Sequence, residues 1–159
     1  MATYVPAPEI ESVMRNLQRR YSHSFGELNF DKVILLWELD AKFDEEKNQP
    51  FAVTKKIDKA LKVQYPDKDY VIIIFRERWD AKTPAQQNLT VMDCMYKMDW
   101  EGEKIRKPDV VEFFEIASAF GIDWRYNDLA RDPLGEEKIE VIANPNAPKA
   151  KTNDDEDED

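Results

Sequence analysis

One stretch, residues 83–100 (TPAQQNLTVMDCMYKMDW), constrains the fold most, because it reads as a helix that is apolar on two sides. Thr83 predicts an N-cap, Pro84 suits the first helical position, and Gln86 completes a capping box. At about 100° per residue, one side carries Ala85, Leu89, Met92 and Tyr96. The opposite side carries Val91, Cys94 and Met98, and Met95 lies between the two. Such a helix is typical of the centre of a domain, so we expect other elements to pack on both sides of it.

Two further helices are predicted from apolar spacing and end signals. Residues 8–21 carry apolar side chains at intervals of three and four. The arginines of this helix face water or form a partner-binding patch: Arg15, Arg19 and Arg20. A later helix begins at Asp109 as N-cap and ends before Gly121.

Three apolar runs predict strands at residues 32–39, 51–54 and 70–75, and Ile139, Val141 and Ile142 suggest a late edge strand. The run YVIIIF is continuously apolar, which favours cover on both faces. Trp124 and Tyr126 are expected to close over the core. The fold class is therefore α+β: a compact domain with a small mixed or antiparallel sheet, packed by the N-terminal, central and following helices. Its expected core consists of Leu17, Ile34, Leu36, Trp37, Ile72, Ile74, Leu89, Met92, Tyr96, Phe113, Ala117 and Phe120.

The segment YVIIIFRERWDAKTPAQQNLTVMDCMYKMD, residues 70–99, resembles the central part of the phage metallopeptidases, a zincin-like family of phages and prophages. In that family, an apolar strand leads into a helix with an Asp-His-Glu-x-x-His motif. Asp93 matches the first residue of the motif. The first zinc histidine, the catalytic glutamate and the second histidine are replaced by Cys94, Met95 and Met98.

A second segment, KPDVVEFFEIASAFGIDW, resembles the later His-Asp-x-x-Glu-Phe helix of the same family, where the third metal ligand is expected. Pro108 stands at the ligand position, while Asp109, Glu112 and Phe113 fit the pattern. The resemblance covers about residues 8–126 and implies a minimal zincin arrangement. In this chain it also implies that every metal-binding or catalytic position has changed.

That change has a chemical consequence, because an HExxH helix binds zinc through two histidines four residues apart and uses the glutamate as a base. Cys94 and Met98 keep the spacing but offer a thiol and a thioether, and Met95 has no basic group. The chain contains one His and one Cys, so a single copy cannot build a His₃, Cys₂His₂ or Cys₄ site. We therefore expect no catalytic residues, no metal and no cofactor, with the three sulfur side chains filling the former pocket.

The composition excludes several classes of protein. A net charge of −10 disfavours direct nucleic-acid binding, no run is long enough to cross a membrane, and the N-terminus lacks a secretion signal. A single cysteine suits the reducing cytoplasm, that of the host cell for a phage-encoded protein. We expect one domain at residues 1–143 and a disordered tail at 144–159. The tail ends in six acids that form a possible partner-binding segment: Asp154, Asp155, Glu156, Asp157, Glu158 and Asp159.

Three hypotheses about function follow. The first is an inactive metallopeptidase-like phage protein that binds a host or phage protein and inhibits a host or defence factor. The second is an acidic mimic of nucleic acid that blocks a DNA- or RNA-binding enzyme of the host. The third is a metal-dependent hydrolase with a non-standard site, for example one with the oxygen ligands Asp93 and Asp99. The identity of the partner, its binding surface and the oligomeric state stay open.

Overall fold

The computed structural model describes residues 3–40, 51–99, 104–107 and 113–143, and within them the chain forms four strands and six helices. The strands are β1 (Tyr4–Pro6), β2 (Val33–Glu38), β3 (Ala52–Lys56) and β4 (Tyr70–Phe75). The helices are α1 (Pro8–Arg20), α2 (Ser22–Phe25), α3 (Lys59–Gln64), α4 (Arg76–Asp80), α5 (Pro84–Tyr96) and α6 (Phe114–Phe120). A 3₁₀ turn at Phe30–Lys32 precedes β2. None of the described helices is long and apolar enough to span a bilayer. The α+β prediction is confirmed.

The four strands form one mixed sheet in the order β1-β2-β4-β3. β2 and β4 run parallel in the centre, and β1 and β3 flank them in antiparallel pairing. The central pairing places Trp37 beside Ile74, and the outer pairing places Thr54 beside Ile72. β1 was not predicted, because three residues are too few to show an alternating pattern.

Helices α1 and α5 pack against each other and against one face of this sheet, α1 on β2 and α5 on β3. The buried stripe of α1 consists of Ile10, Met14 and Leu17, as the spacing predicts. Along β4, burial alternates: Tyr70, Ile72 and Ile74 are buried, whereas Val71, Ile73 and Phe75 are half-buried. Cover on both faces was therefore the wrong expectation, because both long helices lie on the same side.

Most of the predicted core is buried, and Ile34, Leu36 and Ala117 are the half-buried exceptions. Ile34 and Leu36 point away from the helices, since neighbouring strand residues alternate between faces. Of the two aromatics expected to close the core, Trp124 is buried, but Tyr126 is 59% exposed.

The predicted late strand is wrong, because residues 138–143 adopt no strand conformation. Ile139 and Val141 are nevertheless buried, while Ile142 is exposed. The apolar alternation in this segment comes from two side chains that enter the core from irregular backbone. Asp109 and the acidic tail lie outside the described residues. Helix α6 begins at Phe114, and its N-cap Phe113 has an extended backbone, so the prediction of one unbroken helix from Asp109 to Gly121 is wrong.

Candidate functional site

The central helix α5 positions the candidate site, and its start forms as the sequence predicts. The backbone N–H of Gln86 donates to Thr83 Oγ1 at 3.2 Å, and the backbone N–H of Thr83 donates to Gln86 Oε1 at 3.1 Å. Every residue from Leu89 to Tyr96 is buried. A helix that is buried on all sides lies in the centre of the domain, so its second half forms the wall of any former metal pocket.

The three replaced motif positions are enclosed in the core. Cys94 and Met95 are each 1% exposed, and Met98 is 7% exposed. Met98 lies beyond the last residue of α5, where it forms an isolated antiparallel bridge with Ile105. The backbone N–H groups of Lys97 and Met98 donate to carbonyls three residues back, at 3.2 Å each, so the final turn is tightened. Cys94 thus lies in the last turn of α5 and Met98 just after its end, and a shared face for their side chains stays a prediction.

Asp93, which matches the first residue of the family motif, is a buried carboxylate between two cations. Its Oδ2 lies 3.2 Å from Lys97 Nζ, and its Oδ1 lies 3.4 Å from Arg125 Nη2. Oδ1 forms no well-aligned hydrogen bond with a described residue, so Arg125 acts on it mainly through charge. Burial alone would lower the pKa of Lys97, but Asp93 and Cys94 together outweigh that effect and the pKa is raised. The three side chains form an ion triad in which two cations already compensate the carboxylate, so little negative charge is left for a metal ion.

The Cys94 thiol is buried in the core of the domain. Burial, with a smaller contribution from the Asp93 carboxylate, raises the pKa of Cys94 to about 11. Lys97 and the Thr54 hydroxyl of β3 act in the opposite direction and lower the pKa of the thiol by smaller amounts. Thr54 Oγ1 is buried and forms no well-formed hydrogen bond among the described residues. Metal ions bind the thiolate, so the burial that raises the pKa of this thiol makes it a weaker ligand than an exposed cysteine.

Zinc, which the resemblance implies, does not fit these side chains. Within residues 3–40, 51–99, 104–107 and 113–143, no three His, Cys, Asp or Glu side chains are grouped so that they could hold a metal ion. The position of the third ligand, Pro108, lies outside the described residues, and a proline side chain offers no donor atom. The acidic segment, residues 154–159, lies outside them as well.

The sequence analysis did not predict the two cations that hold Asp93. The ion pair with Lys97 could have been predicted, because residues four apart on a helix are neighbours. Arg125 is brought in by tertiary structure: Gln86 Nε2 donates to the carbonyl oxygens of Trp124 and Arg125, each at 3.1 Å. The Arg125 guanidinium also stacks 4.4 Å from the centre of the Trp124 ring.

Comparison with known protein families supports the resemblance. The family model described as "Putative phage metallopeptidase" matches residues 2–133, which is well over half of the chain. The comparisons with curated proteins and with solved structures give no match. The matched span contains the whole sheet, α5 and the Asp93 ion triad. The chain therefore belongs to the phage metallopeptidase family.

Proposed function

We propose that this protein is a non-hydrolytic member of its family and acts by binding another protein of the host or the phage. The observation that carries the proposal is the ion triad: Asp93 is held by Lys97 and Arg125 beside the buried Cys94. Two cations at this position oppose a divalent metal ion, because like charges at short range repel. The proposal places the protein in the cytoplasm of the host cell, where inhibition of a host or defence factor is the specific form we favour.

The donor chemistry supports the same proposal. A peptidase of this type needs imidazole ligands and a carboxylate base that activates the metal-bound water. Here Met95 stands at the position of the base, and its thioether cannot accept a proton at neutral pH. Cys94 and Met98 stand at the positions of the two zinc histidines, and a buried thiol and a thioether are poor substitutes for two imidazoles. The scaffold is retained while the groups for hydrolysis are not.

Zinc content and peptidase activity test the loss of hydrolysis. The purified chain is incubated with zinc, desalted and measured by elemental analysis beside the Cys94→Ser variant. We expect less than about 0.1 zinc per chain in both, because the described residues offer no group of three metal-binding side chains and Cys94 alone is too few ligands for zinc. Stoichiometric zinc that disappears in Cys94→Ser, together with peptide cleavage that a chelator stops, would refute the proposal.

Binding is tested by affinity capture from a host lysate with the wild-type chain and with a chain truncated after Asn153. We expect one protein to be retained in equal molar amount and to be released by a competing untagged chain. If binding requires residues 154–159 and falls steeply with salt, the partner binds the acidic segment and not a surface of the folded domain. That result would support the second hypothesis, an acidic mimic of nucleic acid. If no protein is retained at near-stoichiometric amount, binding as the function is refuted.

The third hypothesis, a hydrolase with oxygen ligands, is disfavoured by the described residues. It would need Asp93 to turn its carboxylate to a metal, but that carboxylate is already neutralised by Lys97 and Arg125. Chelator-sensitive turnover of a peptide that survives Cys94→Ser but not Asp93→Asn would restore it.

A further inference from the structure

A basic groove lies at the opposite end of helix α1 from the sheet edge strand β1. The groove has a volume of about 680 Å³ and runs between α1 and α2 on one side and residues 134–141 on the other. Its cationic lining consists of Arg19, Arg20 and Lys138, all of which are exposed. Glu140 is the one carboxylate among the described residues that line it. In a chain with a net charge of −10, this is a local concentration of positive charge.

The hydrogen bonds of the two arginines leave their charges uncompensated. Arg19 donates to the side-chain oxygen of Asn16. Arg20 donates to the carbonyl oxygens of Pro133 and Gly135, at 2.9 and 2.6 Å. All three acceptors are neutral, so they orient the guanidinium groups without cancelling their charge. Fixed guanidinium groups are well suited to bind carboxylates through paired, charge-assisted hydrogen bonds.

Arg15, one turn earlier on the same helix, shows the contrast. It is paired with Glu11 at 2.7 Å. Arg19, Arg20 and Lys138 form no ion pair with any carboxylate of the described residues. Helix α1 therefore presents a neutralised arginine outside the groove and two unneutralised ones inside it.

The chain itself carries a segment of complementary charge close by. The groove wall ends at Val141, and after twelve intervening residues the last six positions, 154–159, are all acidic. Twelve residues span up to about 40 Å when fully extended. A tether of this length keeps the segment at an effective concentration on the order of millimolar.

We propose that this groove is a docking site for the chain's own acidic C-terminus, residues 154–159. Carboxylates of the segment pair with Arg19 and Lys138 while Arg20 contributes its charge from a fixed position. A tethered segment excludes competing anions, so an acidic segment of another protein must displace it to reach the same guanidinium groups. The inference does not depend on the loss of peptidase activity.

Fluorescence anisotropy with a labelled peptide of residues 151–159, KTNDDEDED, tests the proposal. The peptide is titrated with the chain truncated after Asn153 and, separately, with the full chain. We expect saturable binding to the truncated chain that weakens as salt is raised to about 0.3 M. Binding to the full chain should be about tenfold weaker, because the tethered segment competes at millimolar effective concentration. Equal binding to both chains, or no binding to the truncated one, overturns the proposal.

Substitutions in the truncated chain locate the site. Arg19→Gln and Lys138→Gln should each weaken peptide binding at least about fivefold, since each removes one charge-assisted contact. Arg15→Gln is the matched control, because it removes one exposed charge from the same helix outside the groove, and it should leave binding within about twofold. Arg20 is kept because it also holds Pro133 and Gly135. Equal losses in Arg15→Gln and Arg19→Gln, with thermal unfolding unchanged, would show that only net charge matters and would refute the docking site.

Discussion

Alkaline pH should destabilise this protein through Cys94. In the unfolded chain the thiol has its ordinary pKa of 9.0, whereas burial in the folded protein raises that pKa to about 11. Between these values the folded state retains a proton that the unfolded state releases. The contribution to stability is thus fully present below pH 9 and is lost as the pH rises towards 11. Two pKa units correspond to about 3 kcal/mol of the free energy of unfolding.

Urea unfolding of the wild type and of Cys94→Ser and Cys94→Ala, repeated from neutral pH to about pH 11, measures this loss. The variants lack the titrating thiol, so we expect their curves to fall by about 2 kcal/mol less than that of the wild type between neutral pH and pH 11, where the folded thiol is half ionised. Tyr96, whose pKa burial also raises, is present in all three chains and cancels in the comparison. Parallel curves for the wild type and the variants would refute the reasoning, because they would mean that the folded thiol ionises as readily as the unfolded one.

Three further substitutions test the surroundings of α5 and the turn that ends α6. Asp93→Asn leaves Lys97 and Arg125 without their carboxylate and should cost about 3 kcal/mol in urea unfolding; a loss below about 0.5 kcal/mol would show that the triad is solvated. Thr54→Val removes a buried hydroxyl oxygen that lacks a well-formed hydrogen bond among the described residues, and should raise stability by about 1 kcal/mol; a lower thermal midpoint would contradict this. Gly121→Ala introduces a side chain at φ +93°, with its Cβ 3.0 Å from Asp123 Oδ1, and should cost about 1–3 kcal/mol by the same assay, whereas an unchanged midpoint would show that the backbone relaxes.

The elements that follow from local chemistry were predicted well. The capping box of Thr83 and Gln86 fixes the start of α5, and the run YVIIIF gives β4 its observed bounds. The failures concern elements that depend on distant partners. β1 is a strand only because β2 is there to pair with it. Ile139 and Val141 alternate like a strand but have no neighbouring strand within reach among the described residues, so they are buried singly.

In the candidate site, too, the features set by local sequence could be predicted and those set by distant contacts could not. The burial of Cys94 and Met95 follows from the two-sided apolar pattern of α5, which is a local signal. The end of α5 before Met98 does not follow from a local signal, because it depends on the tightened last turn and on the bridge to Ile105. Arg125 lies 32 positions after Asp93, and only the folded chain brings their charges together.

The side chain of Gln86 has a consequence for which substitutions this helix tolerates. By capping statistics, glutamate would serve as well as glutamine at this position. In this fold the same side chain must also donate its amide hydrogens to the carbonyl oxygens of Trp124 and Arg125. A carboxylate oxygen in place of the buried amide nitrogen would face the two carbonyl oxygens without a hydrogen to donate. One amide thus ties the first turn of the helix to the distant loop that supplies Arg125, and of the two residues the capping rule allows, only glutamine can make both sets of hydrogen bonds.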